Sequence, residues 1–222
     1  MMQELLPNVK WNKVWEATVE TIYMTSISVV ATFVLGIILG LLLFLTSKGN
    51  IYENKIIHAI VAATVNIFRS IPFIILIILL IPFTKVIVGS MIGENAALPA
   101  LIIGAAPFYA RMVEIALREI DKGVIEAAKA MGAKTSTIIW KVLLPESMPA
   151  LVSGITVTAI ALVGYTAMAG FVGAGGLGNL AFLEGYQRFQ YDYTFITTIF
   201  ILIIVFLIQF AGDYVTSKID KR

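Results

Sequence analysis

The chain contains no cysteine, which excludes disulfides, thiolate metal ligands and cysteine nucleophiles together. It has a single histidine, His58, which cannot anchor a metal cluster and suits a membrane interface or a helix contact. Charge is sparse: 14% of the 222 residues are Asp, Glu, Lys or Arg, the formal net charge is +2, and there is no Lys/Arg block or basic tail. Nucleic acid is therefore not an expected partner. The opening stretch, MMQELLPNVKWNKVWEATVE, lacks the basic start, short apolar run and small-residue cleavage site of a signal peptide, so it is expected to be retained. No G-x-x-x-x-G-K-[ST] loop occurs; the nearest fragment, MGAKTST, lacks the upstream glycine, and ATP hydrolysis is not expected of this chain.

What is abundant is apolar surface. The chain is 59% hydrophobic with a mean hydropathy of +0.92, far above a water-soluble domain of this length, and reads as an all-α polytopic membrane protein. A hydrocarbon core of about 30 Å needs about 20 apolar residues, and five runs qualify: residues 18–45, 56–81, 96–115, 151–171 and 195–212. Trp11 and Trp15, one helical turn apart, suit a short interfacial helix before the first span. Lys and Arg are unevenly shared between the two sides. Arg111, Arg118, Lys122, Lys129, Lys134 and Lys141 lie between spans three and four, Lys48 and Lys55 between spans one and two, and Lys218, Lys221 and Arg222 in the tail. The opposite side has Lys10, Lys13, Lys85 and Arg188. Positive loops stay in the cytoplasm, so the N-terminus is expected outside and the C-terminus inside.

Acidic residues are missing from the span interiors, with Glu20, Glu114 and Asp213 at ends, and no twofold repeat is evident. Both absences argue against an ion-coupled secondary transporter. In the second span, Arg69 interrupts an apolar run and Pro72 follows three residues later. An intramembrane Arg normally faces protein or a water-filled cavity, and Pro72 removes a backbone hydrogen bond. The pair points to a broken helix beside a translocation route, the alternative being a later start to the span with Arg69 snorkelling to the interface. Pro107 is expected to kink or start the third span. The fourth span is rich in small residues, from which Tyr165 and Met168 project one turn apart as candidates for the pathway. Gly36 and Gly40 form a G-x-x-x-G that hints at close packing.

GAGGLG, residues 173–178, fits a dinucleotide-binding spacing. It follows a membrane helix rather than a soluble strand, so the nucleotide reading fails. A turn or an outer gate remains.

Between spans three and four, residues 124–131 have helical composition, with Glu126 in the first turn and Gly132 placed to stop the helix. A second helical stretch, residues 136–144, is expected to end at Pro145. Glu126, Ala127 and Ala128, three residues, Gly132, nine residues, Val142, one residue, then Leu144 and Pro145 make a long, specific pattern. It resembles the EAA loop of bacterial ABC importer permeases. The resemblance implies that this loop, 121–147 within a single permease domain of residues 1–222, docks into a groove on a cytoplasmic ATPase. Glu126, Ala127, Ala128, Gly132, Leu144 and Pro145 are the implied coupling residues.

NIFRSIPFIIL, GAAPFYARMVEIAL, LVGYTAMAGFVGAGGLG and LIQFAGD are similar to stretches of the methionine-importer permeases. That family implies a type I permease fold, import of D- or L-methionine across the bacterial cytoplasmic membrane, and a second copy of the permease. It also implies two copies of an ATPase that bind ATP and Mg, and an extracellular substrate-binding protein, usually a lipoprotein. No cofactor is implied for this subunit. Permeases for polar amino acids or quaternary amines share the loop and form the alternative.

Overall fold

The computed structural model describes residues 9–220. Residues 1–8, part of the stretch expected to be retained, lie outside the described residues, as do Lys221 and Arg222. Helix α1 runs Trp11–Thr46, α2 Lys55–Ser70, α3 Phe73–Val88, α4 Glu94–Arg118 and α5 Lys122–Ala130. Helix α6 occupies Thr135–Gly170. The short α7, Gly176–Leu180, continues as a π-helical turn, Ala181–Gln187, and α8 is Tyr191–Ile219. No strand occurs among the described residues.

Helices α1, α4, α6 and α8 are each long and apolar enough to cross a membrane. The expected second span is instead the pair α2 and α3, bent by 110° at its break. Pro72 drives the break: it has no N–H and pushes its predecessor out of the helical region. Ile71 and Pro72 accordingly have extended ψ values of 123° and 134°. Pro107 neither starts nor ends α4; it is buried inside the helix. Trp11 and Trp15 form no separate interfacial helix but belong to the first turns of α1.

The close packing hinted at by G-x-x-x-G holds α1 to α4. A Cβ on Gly36 would strike the Tyr109 ring, and one on Gly40 would lie 2.5 Å from the Val113 Cβ. Tyr109 is fully buried, and its hydroxyl donates to the Leu151 carbonyl at 3.1 Å, tying α6 to the same block. Around it, Val113, Leu117, Leu143 and Leu151 form one continuous core.

The glycine-rich stretch is a tight reversal between α6 and α7. Gly173, Gly175 and Gly176 have φ of 88°, 85° and 79°, values that exclude most side chains. Two further glycines bring α7 against α6 backbone to backbone. A Cβ on Gly170 would strike the Asn179 backbone, and one on Gly178 the Ala167 backbone. Glu20 and Thr21 of α1 take the free N–H groups of Gly176 (2.6 Å) and Leu177 (2.9 Å), so a carboxylate near the start of the first span caps a loop far along the chain.

Gly178→Ala should therefore lower the thermal unfolding midpoint of the purified protein, an overpacking cost of about 1–3 kcal/mol. Gly164→Ala, where a Cβ meets nothing within 4 Å, should leave the midpoint unchanged or raise it. Equal midpoints for the two variants would contradict the backbone-to-backbone contact.

Candidate translocation and coupling site

The first helix of the coupling element begins earlier than the expected residue 124. Asp121 caps α5 by accepting from the Gly123 N–H at 2.7 Å, so the helix starts at Lys122 and Glu126 sits in its second turn rather than its first. Gly132 does stop the helix: its φ is +77°, and the Ala133 N–H closes on the Ala128 carbonyl at 3.1 Å. Pro145 does not end the second stretch. A π-helical turn over Ile139–Leu143 precedes it, and the helix continues from Leu144 through Pro145 to Gly170. The Leu144 N–H reaches back five residues to the Ile139 carbonyl, a widened turn that accommodates a proline ring and its missing donor. The second half of the coupling element, from Thr135, is thus continuous with α6.

The six motif residues divide by environment. Ala128 and Leu144 are buried with Ile125, Ile138 and Leu143 in the core that includes Leu117, so they hold the element in place. Glu126, Ala127, Gly132 and Pro145 are exposed. Beside them stand two apolar side chains that the motif does not include, Met131 (81% exposed) and Trp140 (71%). Spacing carries no signal for either: Met131 lies just past the end of α5 and Trp140 in the π-helical turn, and their exposure is evident only from the fold. A second missed group is Glu114, which is buried in α4 and clasped by Arg111 and Arg118 at 2.5 Å each. Arg111 and Arg118 are therefore helix residues of α4, not residues of a loop.

Arg69 lies exposed in the last turn of α2, at the break. Together with Tyr165 of α6 it lines a cavity of roughly 270 Å³, walled also by Phe73 and Gly104. The Tyr165 ring is stacked on Phe73, with centroids 4.3 Å apart and planes 1° from parallel, so the broken pair and α6 meet at this cavity. Met168 does not line it; the side chain is exposed one turn further along α6.

Residues 32–222 match the family described as binding-protein-dependent transport system inner membrane component. The chain belongs to this family. It is 68% identical, over the full length of both chains, to the methionine import system permease protein MetP of Bacillus subtilis (strain 168). It is 48% identical to the probable D-methionine transport system permease protein MetI of Pasteurella multocida (strain Pm70), over 96% of this chain and 98% of that one. Among solved structures, an inward-facing form of the MetNI methionine ABC transporter superposes with a TM-score of 0.92 at 49% identity, covering 94% of this chain and 97% of the other. The all-α fold is that of the MetI-type ABC permeases.

In this inner-membrane permease the end that carries the GAGGLG turn is pinned by charge. Glu184, in the π-helical turn after α7, accepts from Lys13 of α1 at 2.6 Å and pairs with Arg188 at 2.8 Å. The Lys13 bond, and after it Arg188, holds the Glu184 carboxyl below its usual range despite burial. A depressed carboxyl contributes stability that is present above its unfolded pKa of about 4.3 and lost as pH falls through the folded value. Thermal midpoints of wild type and Glu184→Gln should differ by a constant amount above about pH 5 and converge as pH drops below about 4. A gap that persists unchanged into acid would contradict the ion triad.

Proposed function

We infer that this chain is the transmembrane permease subunit of an ATP-driven ABC importer that carries D- and L-methionine across the bacterial cytoplasmic membrane. The observation that carries the reading is 68% identity along the whole of both chains to a methionine import permease. A second relative named for D-methionine, matched nearly end to end, supports the same substrate. The working assembly pairs this chain with a second copy and with two copies of a cytoplasmic ATPase, which bind ATP and Mg. An extracellular binding protein, a lipoprotein by the family resemblance, delivers the substrate.

The N-terminus faces outward and the C-terminus inward. The distribution of cations supports this orientation: Lys48, Lys55, Arg118 and Lys122 border one cleft beside the coupling element, whereas Lys13 and Arg188 meet at Glu184 beside the GAGGLG turn. On the inner side the single domain presents residues 121–147 to the ATPase. Glu126, Ala127, Gly132 and Pro145 face the groove, Met131 and Trp140 add apolar contact, and Ala128 and Leu144 fix the element to the core.

Because the second half of the coupling element runs from Thr135 into α6 without a break, closure of the ATPases on ATP rocks α6, and with it Tyr165 and Met168. The methionine side chain passes these two residues, while Arg69 offers a cation to the amino-acid carboxylate. Each tenfold concentration ratio opposes import by about 1.4 kcal/mol, the work that the coupling element transmits.

Proteoliposomes holding the permease, ATPase and binding protein should take up labelled methionine on ATP and should not take up glutamine or glycine betaine. Uptake of a control instead of methionine would overturn the substrate. Gly132→Asn tests the coupling. Asn tolerates the left-handed backbone, and a Cβ at Gly132 meets nothing within 4 Å, so the permease itself is undisturbed and only a docked partner is obstructed. Uptake by this variant should fall at least about tenfold, equivalent to 1.4 kcal/mol; normal uptake would contradict docking.

A further inference from the structure

A cleft of roughly 540 Å³ opens between the α1–α2 connection and the corner joining α4 to α5. The pathway does not use it, and of the coupling element only Lys122 and the buried Ile125 border it. Lys48, Lys55, Arg118 and Lys122 line it, and no carboxylate does among the described residues. Of the nearby acids, Glu119 lines a separate cavity, and three others are engaged within the protein. Glu114 holds Arg118 from within α4, Asp121 caps α5 through Gly123, and Glu53 accepts from the Gly49 N–H at 2.9 Å. Lys48, Lys55 and Lys122 take part in none of the ion pairs among the described residues. Like charges facing one cavity repel one another, and an anion between them removes that cost.

The surroundings select the kind of anion. Immediately beyond Lys55, α2 presents Ile56 (73% exposed) and Ile60 (62%) on successive turns, and Tyr52 stands exposed beside them. Cations in a cleft, an aromatic at the rim and a bare apolar stripe leading away match a phosphate head above acyl chains. A carboxylate-bearing protein surface would use the cations but not the stripe. We propose that this cleft binds the phosphate of an anionic phospholipid whose acyl chains run along Ile56 and Ile60. The headgroup bridges the α1–α2 connection to the α4–α5 corner, so it steadies the base of the coupling element. The site itself does not depend on the transport reading.

The test uses the assembled permease–ATPase complex in nanodiscs of equal phosphatidylglycerol and phosphatidylethanolamine, with lipids retained on release counted by native mass spectrometry. Wild type and the control Lys85→Gln, on a side chain outside the cleft, should retain phosphatidylglycerol selectively. Lys48→Gln/Lys55→Gln/Lys122→Gln should retain about 10²-fold less, since each cation near a membrane surface contributes roughly a fivefold preference. Lys55→Gln alone should show about that fivefold loss and keeps the test readable if the triple variant assembles poorly. Equal retention by all the proteins would overturn the proposal. Displacement of the lipid by millimolar inorganic phosphate would assign the cleft to the free ion and overturn the lipid assignment. Loss of the ATPase from the triple variant with lipid retention unchanged would make the cleft a protein-docking surface, which also overturns it.

Discussion

At Gly36 and Gly40, α1 approaches α4 until Tyr109 and Val113 fill the space that two Cβ atoms would need. Between membrane helices there is no hydrophobic force to exploit, because lipid tails are as apolar as leucine; close backbone approach supplies the attraction. Everything else is placed from this contact. Tyr109 passes it on to α6 through the Leu151 carbonyl, and the core continues into the coupling element through Leu117, Ile125 and Leu144. In a membrane every exposed backbone group must also find a partner. The reversal after α6 meets that requirement with Glu20 and Thr21 of α1, so the same helix anchors both the core and the turn beyond α6.

Against this block the broken pair is lightly held. Val65 is the one buried residue of α2, whereas α4 buries residues along its whole length. The stacked rings of Phe73 and Tyr165 sit where the two regimes meet, with Arg69 at the adjoining corner. If α6 rocks as proposed, it moves together with the core to which Tyr109 ties it, and the cavity wall at Tyr165 shifts against the lightly held pair.

Much of this was legible in the sequence because the signals are local. The apolar runs, the break at Pro72, the stop at Gly132 and the G-x-x-x-G contact each follow from a few neighbouring residues. The failures are equally physical. Pro145 obeys the rule that proline ends a helix only if the preceding turn stays α-helical, and the π-helical turn over Ile139–Leu143 evades it. Glu126 shifted a turn because the capping side chain of Asp121 lies just upstream. The bonds from Gly176 and Leu177 to Glu20 and Thr21 span most of the chain and leave no trace in either neighbourhood. The 110° angle between α2 and α3 depends on what each half packs against, which spacing does not encode. Among the site residues, spacing singled out Arg69 and Tyr165, which share a cavity, but not Met131 and Trp140, whose meaning appears only once the buried face of the coupling element is known.

Because the chain has no cysteine, single thiols can be introduced without background. Met131→Cys and Phe189→Cys, at two exposed side chains, should be labelled with a membrane-impermeant maleimide in right-side-out and inverted vesicles, with and without the ATPase. An inward-facing docking element predicts that position 189 reacts only in right-side-out vesicles. Position 131 should react only in inverted vesicles, and several-fold more slowly once the ATPase is assembled. Labelling of position 131 from the outside, or at an unchanged rate with the ATPase bound, would contradict the account.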